Sequence, residues 1–240
     1  KRARNERDLF ARVMTQPLER EPGKQIVYSD LGFILLGKII ESLTGESLAT
    51  FAKRQLFAPL GMNSSFFNPP RGVRARIAPT EQDKTFRKRL VHSEVHDENA
   101  WVMGGVGGHA GLFSTAVDIA AFAQMMLNGG IYAHHRVLSR ATISQFAARQ
   151  SVGGSARALG WDVPTPPSSS GRYLSDKSYG HTGFTGTSLW IDPVRQLFAV
   201  LLTNRVHPTR DNEKIRQVRP AIHDAIFEGL GLATTQAATR

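Results

Sequence analysis

Two short motifs, far apart in the chain, carry the side chains best suited to chemistry. Tyr28-Ser29-Asp30 stands directly before an apolar stretch with helical spacing, and His181-Thr182-Gly183 lies within a strand-like stretch. A phenol can act as the base for a serine hydroxyl when nearby cations lower its pKa from about 10. A histidine changes its charge near neutral pH. Each tripeptide alone is common, so it is the pair that indicates acid–base chemistry.

Each of these residues also has a purely structural interpretation. Tyr28 can be a half-buried aromatic residue before a helix, and His181 can be a strand histidine hydrogen-bonded to a neighbour. Asp30 can be a helix cap or a site residue, because one carboxylate can serve either purpose. We favour a functional role for Tyr28 and His181, and both interpretations of Asp30 stay open.

A second group of polar residues suggests a metal site. If residues 92–96 are extended, His92, Glu94 and His96 lie on one face, and histidine with carboxylate is a ligand set that zinc accepts. The group lacks the His-Glu-x-x-His spacing of helical metalloprotease sites. A loop that lines a cleft is therefore the favoured interpretation, with a metallohydrolase as an alternative.

Apolar spacing and turn signals predict a helical part followed by a sheet-forming part. Ser29 or Asp30 can cap a helix that ends at Thr44-Gly45, since either side chain can bind the free amides of the first turn. Residues 62–111 show no sustained period and predict a long loop, in which the glycines of 104–108 allow close packing of the backbone. The other predicted elements are helices at 8–16, 47–57, 114–128, 139–149 and 212–230, a strand at 159–163, and a hairpin of 178–191 with 197–204 across Asp192-Pro193.

Composition and charge exclude several classes of protein. The 240 residues include no cysteine, which excludes disulfides and thiolate chemistry. The apolar runs are shorter than the roughly 20 residues that cross a bilayer, so no transmembrane segment is expected. The formal charge of +10 is dense only at 71–89, and this segment, with Phe86 as its one aromatic residue, lacks the interleaved aromatics of a base-stacking platform. We interpret this segment as a solvated basic loop and expect no nucleic acid as a partner.

The motifs resemble those of the serine β-lactamase and penicillin-binding-protein superfamily. Within it they are similar to the group of class C β-lactamases, D,D-peptidases and family VIII esterases, and most similar to the penicillin-binding protein 4B branch. The resemblance rests on these segments: Tyr28 to Gly32, Phe57 to Met62, Val95 to Trp101, Gly104 to Asp118, and His181 to Gly183.

The resemblance implies an α+β fold with two lobes. The first, at 1–152, would be mostly helical with a long loop lining the cleft. The second, at 153–240, would be the carboxy-terminal part of an antiparallel sheet flanked by helices. The active cleft would lie between the two lobes.

The resemblance also implies roles for individual residues. Tyr28 matches the family's base, which would shuttle the proton of the nucleophile. Asp30 stands where many relatives have asparagine and would face the substrate amide. His181 stands where lysine is more common, and together with Thr182 it would hold the substrate carboxylate.

Two further residues of the strand motif have implied roles toward the substrate. Gly183 would let the substrate lie against the strand edge without a clashing side chain. The backbone amide of Phe184 would donate to the oxyanion of the acyl-transfer intermediate. This mechanism requires no metal or organic cofactor.

The family's nucleophile is the serine of a Ser-x-x-Lys motif, and no serine of this sequence has lysine three residues later. Thr50-Phe51-Ala52-Lys53 has the spacing but follows the tyrosine motif, on a helix that should present Lys53 to solvent. The resemblance places the serine motif, the first strands and one covering helix upstream of Lys1. We therefore expect a missing amino-terminal segment and an inactive chain in its absence.

The function implied by the resemblance is serine hydrolysis through an acyl-enzyme. The expected partners are small molecules or peptidoglycan peptides, and the candidate substrates are D-alanyl peptides, β-lactams and short esters. A periplasmic or secreted location is implied by the family alone. The alternative is a non-catalytic relative that binds cell-wall peptide without cutting it.

Overall fold

The computed structural model describes residues 3–152 and 157–233. It contains helices and small antiparallel sheets, which confirms the α+β class. The α-helices are α1 Glu6–Met14, α2 Asp30–Thr44, α3 Leu48–Ala52, α4 Glu98–Val102, α5 Ala116–Leu127, α6 Arg140–Ala147 and α7 Ile215–Gly229. A π-helical turn, Lys53–Phe57, continues α3, and a 3-10 helix covers Arg71–Arg76.

The strands form three pairs and one three-stranded sheet, all antiparallel. They are β1 Phe66–Phe67, β2 Gln82–Asp83, β3 Arg89–Leu90, β4 Leu112–Phe113, β5 Ile131–Tyr132, β6 His135–Arg136, β7 Tyr179–Thr182, β8 Ser188–Asp192 and β9 Leu197–Leu201. β1 pairs with β4, β2 with β3 and β5 with β6, and the larger sheet has the order β7-β8-β9. No helix within 3–152 and 157–233 is long and apolar enough to cross a membrane.

Contacts divide the chain into two compact units. The first unit is Lys1–Asp118 with His207–Thr209, and the second is Ile119–Val206 with Arg210–Arg240. The boundary expected at 152 concerns the lobes of a complete family enzyme and stays a prediction.

In the first unit, α2 is fixed at both ends and along one face. The Ser29 side chain accepts a hydrogen bond from the Leu31 amide, and Gly45 ends the helix with a φ of 69°, a left-handed conformation that glycine adopts without strain. Both ends match the predicted helix. Ile34 packs with Leu9 and Val13 of α1 in a buried apolar cluster.

The glycine loop at 104–111 packs directly on α2. A Cβ atom added to Gly108 would lie 2.1 Å from the carbonyl oxygen of Phe33, and one added to Gly37 would lie 3.3 Å from the Gly108 amide nitrogen. Glycine is required for so close an approach to a helix, because any side chain would clash with the helix backbone. The close packing predicted for the glycines of 104–108 is confirmed for Gly105, Gly107 and Gly108, whereas a Cβ at Gly104 would have no heavy atom within 4 Å.

The second unit is built on the three-stranded sheet. Trp190 and Ile191 of β8 are buried, and Phe122 of α5 stacks on Trp161 with ring centroids 6.3 Å apart. At the end of β8 the carboxylate of Asp192 accepts bonds from the Ser175 amide and hydroxyl at 2.9 and 2.7 Å.

Two predicted β segments differ from the structure. The segment 178–191 is two strands, because Gly183–Thr187 folds into a turn, while the predicted hairpin across Asp192-Pro193 is confirmed as β8 and β9. The predicted strand at 159–163 is wrong: it contributes only the isolated bridges of Asp162 with Arg157 and Gly180. Pro164 follows directly and has no amide to continue a ladder.

The buried Asp192 predicts a stability that depends on pH. Burial alone would raise the pKa of its carboxyl, but hydrogen bonds from Ser175, Arg195 and Val194 outweigh burial and lower the pKa below its ordinary value. The stabilisation is therefore complete above the ordinary aspartate pKa and is lost as pH falls through the lowered one. Asp192→Asn should lower the free energy of unfolding by about 3 kcal/mol at pH 7.

Denaturant unfolding at several pH values measures this effect. The gap between the unfolding free energies of wild type and Asp192→Asn should narrow as the pH falls from neutral through the ordinary aspartate pKa and then through the lowered one. Asp176→Asn is the matched control, because the side chain of Asp176 is 72% exposed and its ion pair with Lys177 is long, at 3.9 Å. A gap that stays constant over this range would contradict the assignment.

The contact of Gly108 with α2 makes a second prediction. Gly108→Ala should lower the free energy of unfolding by about 1–3 kcal/mol, because its methyl group meets backbone atoms that cannot rotate away. Gly72→Ala is the control, since a Cβ at Gly72 has no heavy atom within 4 Å. Thermal unfolding followed by circular dichroism compares the two variants, and equal melting temperatures would refute the packing argument.

Candidate active site

Tyr28 lies in a segment without regular secondary structure directly before α2, in the first unit. It is 66% exposed, and its neighbours Ile26 and Val27 are exposed as well. The half-buried aromatic residue that a structural role would require is therefore not what the structure has. The role of Tyr28 as a base stays a prediction that its exposure permits.

Asp30 is the first residue of α2, and Ser29 is its cap. The hydroxyl of Ser29 accepts from the Leu31 amide at 3.2 Å, so the interpretation of Asp30 as the cap is wrong. Within the described ranges, the Asp30 carboxylate makes no hydrogen bond or ion pair. It lies at the positive end of the helix dipole, which stabilises its negative charge.

His181 and Thr182 lie on β7, in the second unit, and pair with Leu189 and Ser188 of β8. The strand can lie this close to β8 because its second residue is glycine: a Cβ at Gly180 would lie 2.3 Å from the carbonyl oxygen of Leu189.

The ring of His181 contacts a guanidinium that the sequence did not reveal. Its Nδ1 is 2.9 Å from the carbonyl oxygen of Thr182, and its Nε2 is 3.4 Å from Nη1 of Arg157. Arginine only donates, so Nε2 accepts, and the proton on Nδ1 donates to Thr182. Arg157 also pairs with Asp162. The structure thus has the hydrogen-bonded strand histidine, and Arg157 adds a guanidinium beside it.

A second tyrosine near this motif is unsuited to the role of base. Tyr179, two residues before His181, is 2% exposed, and burial raises its pKa to about 12. It therefore stays neutral and packs edge-on against Trp161, with centroids 5.4 Å apart.

Gly183 and Phe184 begin the turn between β7 and β8. The Gly183 amide donates to the carbonyl of Thr187 at 2.8 Å, and the Gly186 amide donates back to the carbonyl of Gly183 at 3.1 Å. A Cβ at Gly183 would lie 2.2 Å from Oγ1 of Thr187, so this position requires glycine in the present conformation. Gly186 has a φ of 116°, which side chains rarely adopt.

Donors from outside the turn bind all five of its carbonyl oxygens. Nε of Arg205 donates to Phe184 at 2.7 Å, the Arg205 amide donates to Thr185 at 2.9 Å, and Oγ1 of Thr203 donates to Gly186 at 2.6 Å. Nη2 of Arg219 donates to Gly183 at 2.6 Å and to Thr187 at 2.9 Å. Every carbonyl from Gly183 to Thr187 is therefore bonded, and the peptide that contains the Phe184 amide is held in place without a substrate.

Arg157, Arg205 and Arg219 were not predicted from the sequence, although the sequence holds a signal for Arg219. Ile215, Arg219, His223 and Phe227 are the buried residues of α7 and recur every four positions. An arginine within such a stripe faces the interior, where it needs acceptors. Burial, and then the charge of Arg205, lower the pKa of Arg219.

The metal site proposed at 92–96 is wrong. Nε2 of His92 lies 2.8 Å from the carbonyl oxygen of Ile77, and Nε2 of His96 lies 2.9 Å from Oε2 of Glu81. Glu94 is bound by Arg89 and by the Trp101 indole. Among the residues that the structure describes, no group of three suitable side chains could hold a metal ion. The three predicted ligands serve different contacts, so the metallohydrolase alternative is not supported.

Comparison with known proteins gives close relatives by sequence. Two proteins named "Putative D-alanyl-D-alanine carboxypeptidase" are 40% identical over 219 residues, one from Salmonella agona (strain SL483) and one from Escherichia coli O157:H7. The match covers 85% and 84% of this chain, respectively, and 50% of each relative. The chain thus spans about half the length of these curated relatives.

The fold is also that of solved relatives. The octameric penicillin-binding protein homologue from Pyrococcus abyssi has a TM-score of 0.66 and 21% sequence identity, over 96% of this chain and 49% of that one. A family model described as Beta-lactamase matches residues 1–223. Because that match includes both the tyrosine motif and the strand motif, this chain belongs to the Beta-lactamase family.

Proposed function

We propose that the protein is a serine hydrolase that forms an acyl-enzyme and acts as a D-alanyl-D-alanine carboxypeptidase. The turn Gly183–Thr187 carries the proposal, because its bonded carbonyls hold the peptide group of the Phe184 amide, which is the oxyanion donor that the resemblance implies. Fixed dipoles stabilise a developing negative charge without the cost of reorganisation. The names of the 40% identical relatives support the choice of substrate.

The proposed reaction has two halves. A serine hydroxyl, supplied by a Ser-x-x-Lys segment outside this sequence, loses its proton to Tyr28 and attacks the carbonyl carbon before the terminal D-alanine. The carbon–nitrogen bond breaks, Tyr28 returns the proton to the leaving amine, and D-alanine departs. Water then hydrolyses the serine ester, again with Tyr28 as the base.

The other residues of the two motifs bind and orient the substrate. His181 and Thr182 hold the terminal carboxylate, and the guanidinium of Arg157 beside His181 adds positive charge there. Asp30 faces the substrate amide and accepts its N–H. Gly183 leaves room for the substrate along the edge of β7. Charge-assisted bonds of this kind favour a substrate with a free carboxylate over a neutral ester.

The proposed setting is the cell envelope, periplasmic or secreted, where peptides ending in D-alanine are found in the cell wall. β-Lactams and short esters are further acyl donors for the same site. A non-catalytic peptide-binding relative is the second candidate, favoured by the lack of any Ser-x-x-Lys motif in the 240 residues. Substrate turnover separates the two candidates.

Replacement of Tyr28 tests the proposal. In the complete product of the gene, Tyr28→Phe should lower kcat/KM for D-alanine release from a D-alanyl-D-alanine peptide by about 100-fold to 1000-fold, because the base is lost. D-alanine is quantified with D-amino-acid oxidase. Tyr132→Phe, a half-buried tyrosine of β5, is the matched control and should keep wild-type activity.

Two results would count against this function in different ways. If the wild-type protein binds the peptide but releases no D-alanine, the non-catalytic candidate is correct. If wild type is active and Tyr28→Phe is equally active, the enzyme stands and the role of Tyr28 is wrong.

A further inference from the structure

A buried cation lies behind the turn Gly183–Thr187. Arg219 of α7 is 9% exposed, and its Nη2 donates to the carbonyl oxygens of Gly183 and Thr187. Its Nε is buried and makes no hydrogen bond within the described ranges. No carboxylate in that part of the chain forms an ion pair with it. The charge of Arg219 is thus directed at the turn and is not neutralised by an acid.

A hydrogen-bond donor at the position of Arg219 could hold the turn without carrying a charge. A buried ion is costly, and a neutral donor can also bond carbonyl oxygens, although its bonds are weaker than those of a cation. The neighbours of Arg219 in the buried stripe of α7 are Ile215 and His223, and burial lowers the pKa of His223, which favours its neutral form. Within this stripe the guanidinium differs from a neutral side chain in placing a positive charge against the carbonyl oxygens of Gly183 and Thr187.

The bonded carbonyl and the oxyanion donor belong to one peptide group. The carbonyl of Gly183 is conjugated with the nitrogen of Phe184, and the two share the partial double bond of the amide. A cation at the oxygen favours the form with negative oxygen and positive nitrogen. This polarisation strengthens the Phe184 N–H as a donor.

We propose that Arg219 is a positioning residue that strengthens the Phe184 amide as the oxyanion donor. This role rests on the proposed acyl transfer. Arg205 offers an internal comparison, because it binds the next carbonyl, that of Phe184, and so polarises the amide of Thr185 instead. Two arginines of one turn are thus expected to act on different peptide groups.

The first test separates the charge of Arg219 from its hydrogen bonds. Arg219→Gln keeps an N–H donor without charge, and Arg219→Lys keeps the charge. In the complete gene product, stopped-flow labelling with a fluorescent penicillin gives the acylation rate constant and the dissociation constant of the preceding complex. Arg219→Gln should lower the rate constant about tenfold with an unchanged dissociation constant, and Arg219→Lys should restore most of it.

Arg216→Gln is the control for this series. Arg216 lies on the same helix, three residues before Arg219, with its side chain 75% exposed and paired with Glu213. Its replacement should leave acylation unchanged. Equal losses in Arg219→Gln and Arg219→Lys, with matching drops in melting temperature, would show a structural role and overturn the proposal. Wild-type acylation kinetics in Arg219→Gln would overturn it too.

A second measurement does not depend on catalysis. A more polarised amide proton resonates further downfield, so Arg219→Gln should move the Phe184 amide proton upfield in a nitrogen–proton NMR spectrum. Arg205→Gln should instead move the Thr185 amide proton. A Phe184 resonance that does not respond to Arg219→Gln would overturn the polarisation, whether or not the protein is an enzyme. If penicillin does not label the wild-type protein but the expected NMR shift is seen, the proposed function is wrong and the polarisation by Arg219 stands.

Discussion

Five successive carbonyl oxygens in the turn Gly183–Thr187 each need a donor, and much of the second unit is arranged to provide one. A buried carbonyl without a hydrogen bond destabilises the folded state, and apolar contacts do not replace the missing bond. Thr203 and Arg205 follow β9, and Arg219 is brought in by α7. The chain beyond the hairpin thus completes a turn that begins at the strand motif.

In the first unit, helix α2 is held by a serine cap and a backbone contact, and no charged side chain is involved in either. The segment before α2 leaves Tyr28 exposed at the surface. Ser29 fixes the start of the helix, and the contact of Gly108 with the carbonyl of Phe33 fixes its side. The proposed role of Tyr28 would place it beside a helix end that the Ser29 cap and the Gly108 contact hold in position.

Local signals predicted the parts of the fold that local chemistry decides. The limits of α2 follow from a serine cap and a left-handed glycine, and the hairpin at Asp192-Pro193 follows from a turn signal between apolar runs. The turn within 178–191 was not predicted, because Gly183 was assigned to a strand along whose edge a substrate would lie. The donors from outside the turn come from more than fifteen residues away, as the bond from Thr203 shows, and no local pattern predicts such a contact.

The motif residues of the candidate site were named by resemblance, and their roles stay predictions. The contacts of Arg157 and Arg219 could not be predicted, because they depend on the folded chain. The metal hypothesis failed for the same reason. It assumed that alternation along an extended segment would bring His92, Glu94 and His96 together, but each side chain found a separate partner in the fold.

The central claim is that the protein acts through a serine acyl-enzyme, and the site of covalent labelling tests it most directly. The complete gene product would be incubated with a fluorescent penicillin, digested and mapped by mass spectrometry. The account predicts one label per molecule, on the serine of a Ser-x-x-Lys segment that precedes the tyrosine motif. No label, or a label on a serine between Lys1 and Arg240, would contradict it.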